Sequence, residues 1–359
     1  MPVPGVNSHW LRNAFQHGLD ACRASHDRLD SDQGAASPQV AGRLAKPLTR
    51  RKRPSVIRGV YAIPPTPFDA AGALDEASLV NVIEFCIRSG AHGIVTPVNA
   101  SEFTTLLDAE RLTLVETAAQ AVAGRVPLVV GVTGTSAAHS AVFAEHARGS
   151  GASAVIAMPP YPYHPDLVQI VSYYTAVARA AQLPVWVQNH LPPVGTPMGV
   201  ATLGALLEID GVEYIKEECK HAGHLMSEVR NLANGRLKGF MGGRAGRHLL
   251  NEFRRGSDGT MPACEVVDLH VELWRRLDDG DAPGARELHE AMLPLLTLEE
   301  EYGVAIYKEV LFRRGVIGST FVRQPGIKTL DAADRAELDD VLGRLRPWFP
   351  RFSYADACR

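Results

Sequence analysis

The chain has 359 residues, 46% of them hydrophobic, and a formal net charge of −3. That is enough for one barrel-sized domain plus an appendix, and the balance of charge gives no reason to expect a nucleic-acid partner. No apolar run approaches a membrane span, and the N-terminus has no apolar core of the secretory kind. The five cysteines (Cys22, Cys86, Cys219, Cys264 and Cys358) are dispersed, with no C-x-x-C pair, so free thiols in the cytoplasm are expected.

Residues 1–55 have no sustained apolar period and end in the basic run Arg50-Arg51-Lys52-Arg53. They are expected to form an N-terminal extension largely without regular structure, apart from one short helix over 9–25. From Gly59 onward, short β-rich runs alternate with amphipathic stretches. The spacing predicts strands at Val60–Ile63, Gly93–Thr96, Leu128–Val132, Ala154–Met158, Val185–Gln188, Val212–Lys216, Leu237–Met241 and Gly259–Met261. Helices are predicted between them, among others at Glu76–Ser89, Ala109–Ala123, Ala137–Gly149, Leu167–Ala181 and Ala245–Arg255. Asp75 and Asp108 are placed to open helices, Gly90 and Gly151 to close them. Eight strands alternating with helices point to a (β/α)8 TIM barrel over 56–264. A doubly wound sheet is the alternative, weakened because no strand runs into G-x-G-x-x-G. After Cys264 the pattern is helical (Glu265–Leu277, Ala282–Glu301, Val304–Arg314 and Ala332–Leu345), giving a C-terminal helical region over 265–359 packed on the barrel.

Active sites of such barrels lie at the C-terminal strand ends. Lys216 stands near the end of the sixth run, Val212-Glu213-Tyr214-Ile215-Lys216-Glu217-Glu218. Burying a cation there is costly, and desolvation favours a neutral amine able to attack a ketone. Strand alternation puts Tyr214, Lys216 and Glu218 on one face. The alternative is an edge-strand lysine reaching solvent beside two acids. Three other strand ends carry unusual polar residues: Asn99-Ala100-Ser101-Glu102 after the second, Met158-Pro159-Pro160-Tyr161 after the fourth, and Gln188-Asn189-His190 at the fifth. The eight runs offer no converging set of His, Asp and Glu ligands, so no metal is expected.

The order of these segments resembles the dihydrodipicolinate synthase / N-acetylneuraminate lyase superfamily of class I Schiff-base lyases, from about Gly59 to the C-terminus. Thr66-Pro67-Phe68 is similar to the family's first-strand T-P-F. Asn99–Glu102 stands at its G-T-T-G-E, Met158–Tyr161 at its P-Y-Y, and Ile215-Lys216-Glu217 at its Schiff-base strand. Gly256-x-Asp258-Gly259 is similar to the G-x-x-G of its eighth strand. The departures are Gln188 where the synthases carry a tyrosine, Asn99 and Ala100 for two threonines, and Pro193 for an arginine. The phenol that relays protons in the synthases is therefore missing. Asn-x-Ser-Glu, Val187-Gln188, Gly195-Thr196-Pro197 and Lys-x-Glu are together similar to the 2-keto-3-deoxy-pentonate (L-arabinonate pathway) dehydratases.

The resemblance implies that Lys216 forms an imine with a 2-oxo acid and that Glu218 takes the C3 proton and returns it to the departing C4 hydroxyl, without a cofactor. Gln188 would bind that hydroxyl or a water, or be a structural amide. Asn99, the Ala100 amide and Ser101 would hold the substrate carboxylate, with turn capping as the alternative for Asn99 and Ser101. Glu102 is expected to buttress its loop and His190 to be a loop histidine. Tyr161 either lines the pocket or packs at a subunit contact. Gly242 and Gly243 either admit the substrate to the backbone or only make the turn. The expected substrate is a small-molecule 2-keto-3-deoxy sugar acid, and the expected assembly is a homo-oligomer, a tetramer or dimer. The alternatives are a class I aldolase or pyruvate–aldehyde condensing enzyme, and a non-catalytic 2-oxo-acid-binding barrel.

Overall fold

The computed structural model describes residues 57–349. The extension expected over 1–55, with its short helix over 9–25, lies outside them. Eight parallel strands close in sequence order into a barrel. They are β1 (Gly59–Ala62), β2 (Gly93–Thr96), β3 (Leu128–Gly131), β4 (Ala154–Ala157), β5 (Val185–Asn189), β6 (Val212–Glu217), β7 (Gly239–Gly242) and β8 (Gly259–Thr260). The (β/α)8 expectation is met, with β8 pairing back onto β1 at Gly59↔Gly259.

Strand residues are buried on both faces, which explains their continuous apolar character. Alternation divides them into two cores. Val60, Ile94, Val130, Val155, Val187, Ile215 and Phe240 face outward into the layer shared with the helices. Tyr61, Val95, Val129, Ile156, Trp186, Tyr214 and Met241 fill the barrel interior. Trp186 stacks on Tyr214 with ring centroids 4.6 Å apart, so the barrel is plugged below its C-terminal mouth. Two residues further along β5 and β6, the same inward face reaches that mouth.

Eight helices follow the strands: α1 (Glu76–Arg88), α2 (Asp108–Val122), α3 (Ala137–Gly149), α4 (Leu167–Ala181), α5 (Val200–Leu206), α6 (Ala222–Leu232), α7 (Leu249–Arg254) and α8 (Val267–Asp279). Asp75 caps α1, its Oδ1 accepting from Ser78 N at 2.9 Å. Asp108 lies inside the first turn of α2 rather than before it, and the Glu110 carboxylate accepts from Leu107 N at 2.9 Å. The helix expected over Ala245–Arg255 is broken: Arg244 and Ala245 are left-handed (φ 50° and 55°), so α7 starts only at Leu249. β7 begins two residues later than expected, at Gly239, where an added Cβ would stand 2.9 Å from the Tyr214 ring.

The chain ends in α9 (Ala282–Tyr302), α10 (Val304–Arg313) and α11 (Ala332–Leu345). Among the described residues no helix is long and apolar enough to cross a membrane.

Candidate active site

Gln188 and Lys216 are register neighbours on β5 and β6, one step beyond the Trp186–Tyr214 stack. Both are buried, at 1% and 2% exposure. Glu218 lies just past β6, where its amide extends the parallel ladder to Asn189 O at 2.9 Å. Lys216 Nζ stands 3.1 Å from Glu218 Oε1, and Gln188 Nε2 donates to Glu218 Oε2 at 2.6 Å. The three residues singled out for catalysis therefore form one contiguous polar group. Burial alone would raise the Glu218 carboxyl. Lys216, His190 and the Gln188 hydrogen bond more than offset it, and the net shift is downward. Glu218 is held as an anion.

The outward-facing partners form a second, drier set. Glu217 accepts from Asn189 Nδ2 and from Cys219 N, both at 2.7 Å. Burial nonetheless pushes its carboxyl up to about 7. Glu252 of α7 is pushed up to about 8, by burial and then by Glu217 and Glu218. Gly242 and Gly243 make room for these acids. A Cβ on Gly242 would stand 1.8 Å from Glu252 Oε2, and one on Gly243 would stand 2.3 Å from Glu218 Cγ.

After β2 the chain makes two short 3₁₀ turns, Asn99–Ser101 and Phe103–Thr105. Asn99 and Ala100 line the cavity at the barrel mouth. Asn99 Oδ1 is buried and, among the described residues, without a hydrogen-bond partner. Ser101 is different: its hydroxyl is fully buried and donates to Pro64 O at 2.7 Å, tying this loop to the one after β1. It is spent on the loop and does not face the cavity. Glu102 buttresses, as expected, accepting from Lys308 Nζ at 2.5 Å and from the amides of Arg323 and Gln324 at 2.8 Å. Tyr161 packs edge-on against Phe103, ring centroids 5.7 Å apart, outside the cavity lining.

The cavity itself measures about 470 Å³. Asn99, Ala100, His190, Lys216 and Glu218 line it together with Arg244, Arg247, Glu299 and Tyr307. His190 is more than a loop histidine, since it lines this space and Nδ1 lies 2.7 Å from Leu191 O. Arg244 and Arg247 both pair with Glu300 of α9. These last residues were not singled out in the sequence. For Glu299 a signal was present: it continues the buried stripe Leu288, Met292, Leu295, Leu296 of α9 as a lone carboxylate.

The model of the dihydrodipicolinate synthetase family matches residues 56–344. The chain is 32% identical over 305 residues to L-2-keto-3-deoxyarabonate dehydratase of Azospirillum brasilense, covering 83% of this chain and 97% of that one. It is 29% identical over 238 residues to an Escherichia coli K12 protein named "Probable 2-dehydro-3-deoxy-D-pentonate aldolase YjhH", covering 65% and 79%. The crystal structure of YagE from E. coli K12, a prophage protein of the dihydrodipicolinic acid synthase family in complex with pyruvate, superimposes with a TM-score of 0.74 at 26% identity, covering 80% of this chain and 98% of that one. With a matched model spanning nearly all of the described barrel and the helices beyond it, the chain belongs to the dihydrodipicolinate synthetase family.

Proposed function

We propose that the protein is a Schiff-base-forming carbon–oxygen lyase that dehydrates a 2-keto-3-deoxy sugar acid such as a 2-keto-3-deoxy-pentonate. The observation that carries this reading is the contact chain Lys216 Nζ, Glu218, Gln188 at the barrel mouth. The Lys216 amine condenses with the C2 ketone and releases water. The resulting iminium acidifies C3 and keeps a cation beside Glu218, so that carboxylate stays ionised and competent to remove the C3 proton. The enamine electrons then form the C3–C4 double bond as the C4 hydroxyl departs, and hydrolysis of the conjugated iminium frees Lys216. The iminium is the electron sink, so this sequence of steps calls on no further cofactor. Asn99 and Ala100, both on the cavity wall, are the groups we assign to the substrate carboxylate. The likeness to the A. brasilense dehydratase supports the choice of substrate class.

A second reading, retro-aldol cleavage of a related substrate, shares the lysine and the enamine and draws support from the likeness to the E. coli aldolase. The test has two stages. Borohydride reduction in the presence of pyruvate should add a pyruvyl mass to the protein and none to Lys216→Ala. Incubation with 2-keto-3-deoxy-pentonates should then yield a dehydrated 2-oxo acid without pyruvate. Release of pyruvate and an aldehyde instead would establish the aldolase, and absence of an adduct with either ligand would sink both readings.

A further inference from the structure

The proposed dehydration needs a proton at the departing hydroxyl as well as a base at C3. Lys216 Nζ sits 3.1 Å from Glu218, and as the iminium it is a cation that favours the carboxylate form a base at C3 needs. The cavity holds another carboxyl of opposite character. Glu299 of α9 is 3% exposed and lines the same space as Lys216, Glu218 and Tyr307. Behind it lies Glu265, which is fully buried. Among the described residues no other side chain donates to the four carboxylate oxygens of this pair, while the Glu265 amide favours the ionised form of its own carboxyl. The two carboxyls are instead within hydrogen-bonding reach of each other.

Two carboxylates cannot bond to each other; a carboxylic acid and a carboxylate can. The pair therefore holds a proton between its members, as like charges in close contact cannot both ionise. Their surroundings agree. Burial first, and then Glu265, pushes Glu299 well up, with Arg247 opposing; burial likewise raises Glu265, but its hydrogen bond to Glu299, its own amide and Arg314 hold it down, so Glu299 is the member that keeps the proton. Arg314 pairs with Asp268 at 2.7 Å and donates to Glu265 O at 2.8 Å. Tyr307 lines the cavity beside Glu299, its phenol kept protonated by burial and then by Glu299, Glu265 and Glu218.

We propose that Glu299, protonated and backed by Glu265, is the general acid that donates to the C4 hydroxyl as it leaves, while Glu218, lining the same cavity, is the base at C3. This rests on the dehydratase reading above. The steps balance. Glu218 takes the C3 proton, the C3–H pair becomes the enamine bond, and that bond shifts to C3–C4 as the C4–O bond breaks. The leaving oxygen takes its pair and the Glu299 proton and departs as water. Glu218 then gives its proton to solvent at the cavity mouth, and the Glu265–Glu299 pair regains one. Two acids whose surroundings drive them apart thus divide the base and acid roles.

The test compares 2-keto-3-deoxy-pentonate with its 4-deoxy-4-fluoro analogue, whose fluoride needs no full proton to leave. Glu299→Gln should keep the pyruvyl adduct on Lys216, lose at least about 100-fold in kcat with the hydroxyl substrate, and come within about 10-fold of wild type with the fluoro substrate. Glu299→Asp should restore part of the loss. Glu265→Gln provides a separate route: its amide can donate to Glu299 and favour the anion, so the basic limb of kcat should move to lower pH. An unchanged kcat in Glu299→Gln, an equal loss on both substrates, or loss of the adduct itself would overturn the assignment. Wild-type enzyme that forms the adduct but dehydrates neither substrate would overturn the dehydratase reading before any variant is compared.

Discussion

Glu102 and Lys308 form an ion pair 2.5 Å long in which both side chains are wholly buried. They lie 206 residues apart, one in the loop after β2 and the other on α10. The pair is fully satisfied: Lys308 also donates to Phe321 O at 2.6 Å, and the second Glu102 oxygen accepts two amides from Arg323 and Gln324. It fastens the helical region to the barrel beside the cavity, which Gln324 helps to line. Removing one member leaves the other charged, dry and unpaired. Glu102→Gln and Lys308→Met should each cost about 3–5 kcal/mol in urea unfolding, and the double variant less than the sum. Single variants within about 0.5 kcal/mol of wild type would show that the pair is not what fastens these parts.

Gly243 is expected to matter because of what its missing side chain leaves free. A methyl there would stand 2.3 Å from Glu218 Cγ and 2.5 Å from Oε1, so the carboxyl would have to leave its seat beside Lys216. Misplacing a reacting group by about 1 Å can cost about 100-fold. Gly243→Ala should lose rate on that scale while retaining the far-UV spectrum and cooperative melting of wild type. A variant that stays folded with near-normal kcat would mean that Glu218 can act from another position.

How much of this was legible in the sequence follows from distance along the chain. The alternation Tyr214, Lys216, Glu218 and the strand-end position of Gln188 need only a two-residue period and a closed barrel, so their meeting could be anticipated. Loop hydroxyls could not be aimed that way. Ser101 stands at the position where the family binds a carboxylate, yet its hydroxyl turns to Pro64 O, because the first two loops are tied to each other there. Tyr161 likewise finds Phe103 rather than the cavity. Glu299 and Tyr307 were hidden for the opposite reason. They reach the site only because α9 and α10 fold back over the barrel mouth, a placement that helical periodicity does not encode.

Gln188 holds Glu218 through one short hydrogen bond, Nε2 to Oε2 at 2.6 Å, to a charged acceptor. That bond favours the ionised carboxyl and is one of the causes of its lowered pKa. Gln188→Met keeps the volume and removes the donor, so the carboxyl should become harder to ionise. The acid limb of kcat/KM should therefore move to higher pH, with the pyruvyl adduct on Lys216 still formed at neutral pH. An acid limb that stays in place would assign Gln188 to the substrate hydroxyl or to structure rather than to Glu218.

Glu252 allows a pH experiment whose sign can be worked out. Its folded-state carboxyl is pushed up to about 8, from an ordinary value of 4.5, by burial and then by Glu217 and Glu218. Glu217, pushed up to about 7, adds in the same direction. Between pH 4.5 and about 8 the native protein retains protons that the unfolded chain releases, so unfolding becomes more favourable as pH rises through that window. This stabilisation is complete below the unfolded value and is lost once the folded carboxyls ionise. Above about pH 8 the slope from these two groups should vanish. Glu252→Gln is neutral at every pH and close in shape, so it should remove the Glu252 share of the decline. The measurement is Tm from about pH 5 to about pH 9 for both proteins. The wild-type curve should fall more steeply than the variant's, and the two should differ most at the alkaline end, where the variant is the more stable. Parallel curves would mean that Glu252 ionises in the folded protein much as it does in the unfolded chain, and that the space left by Gly242 admits enough water to solvate it.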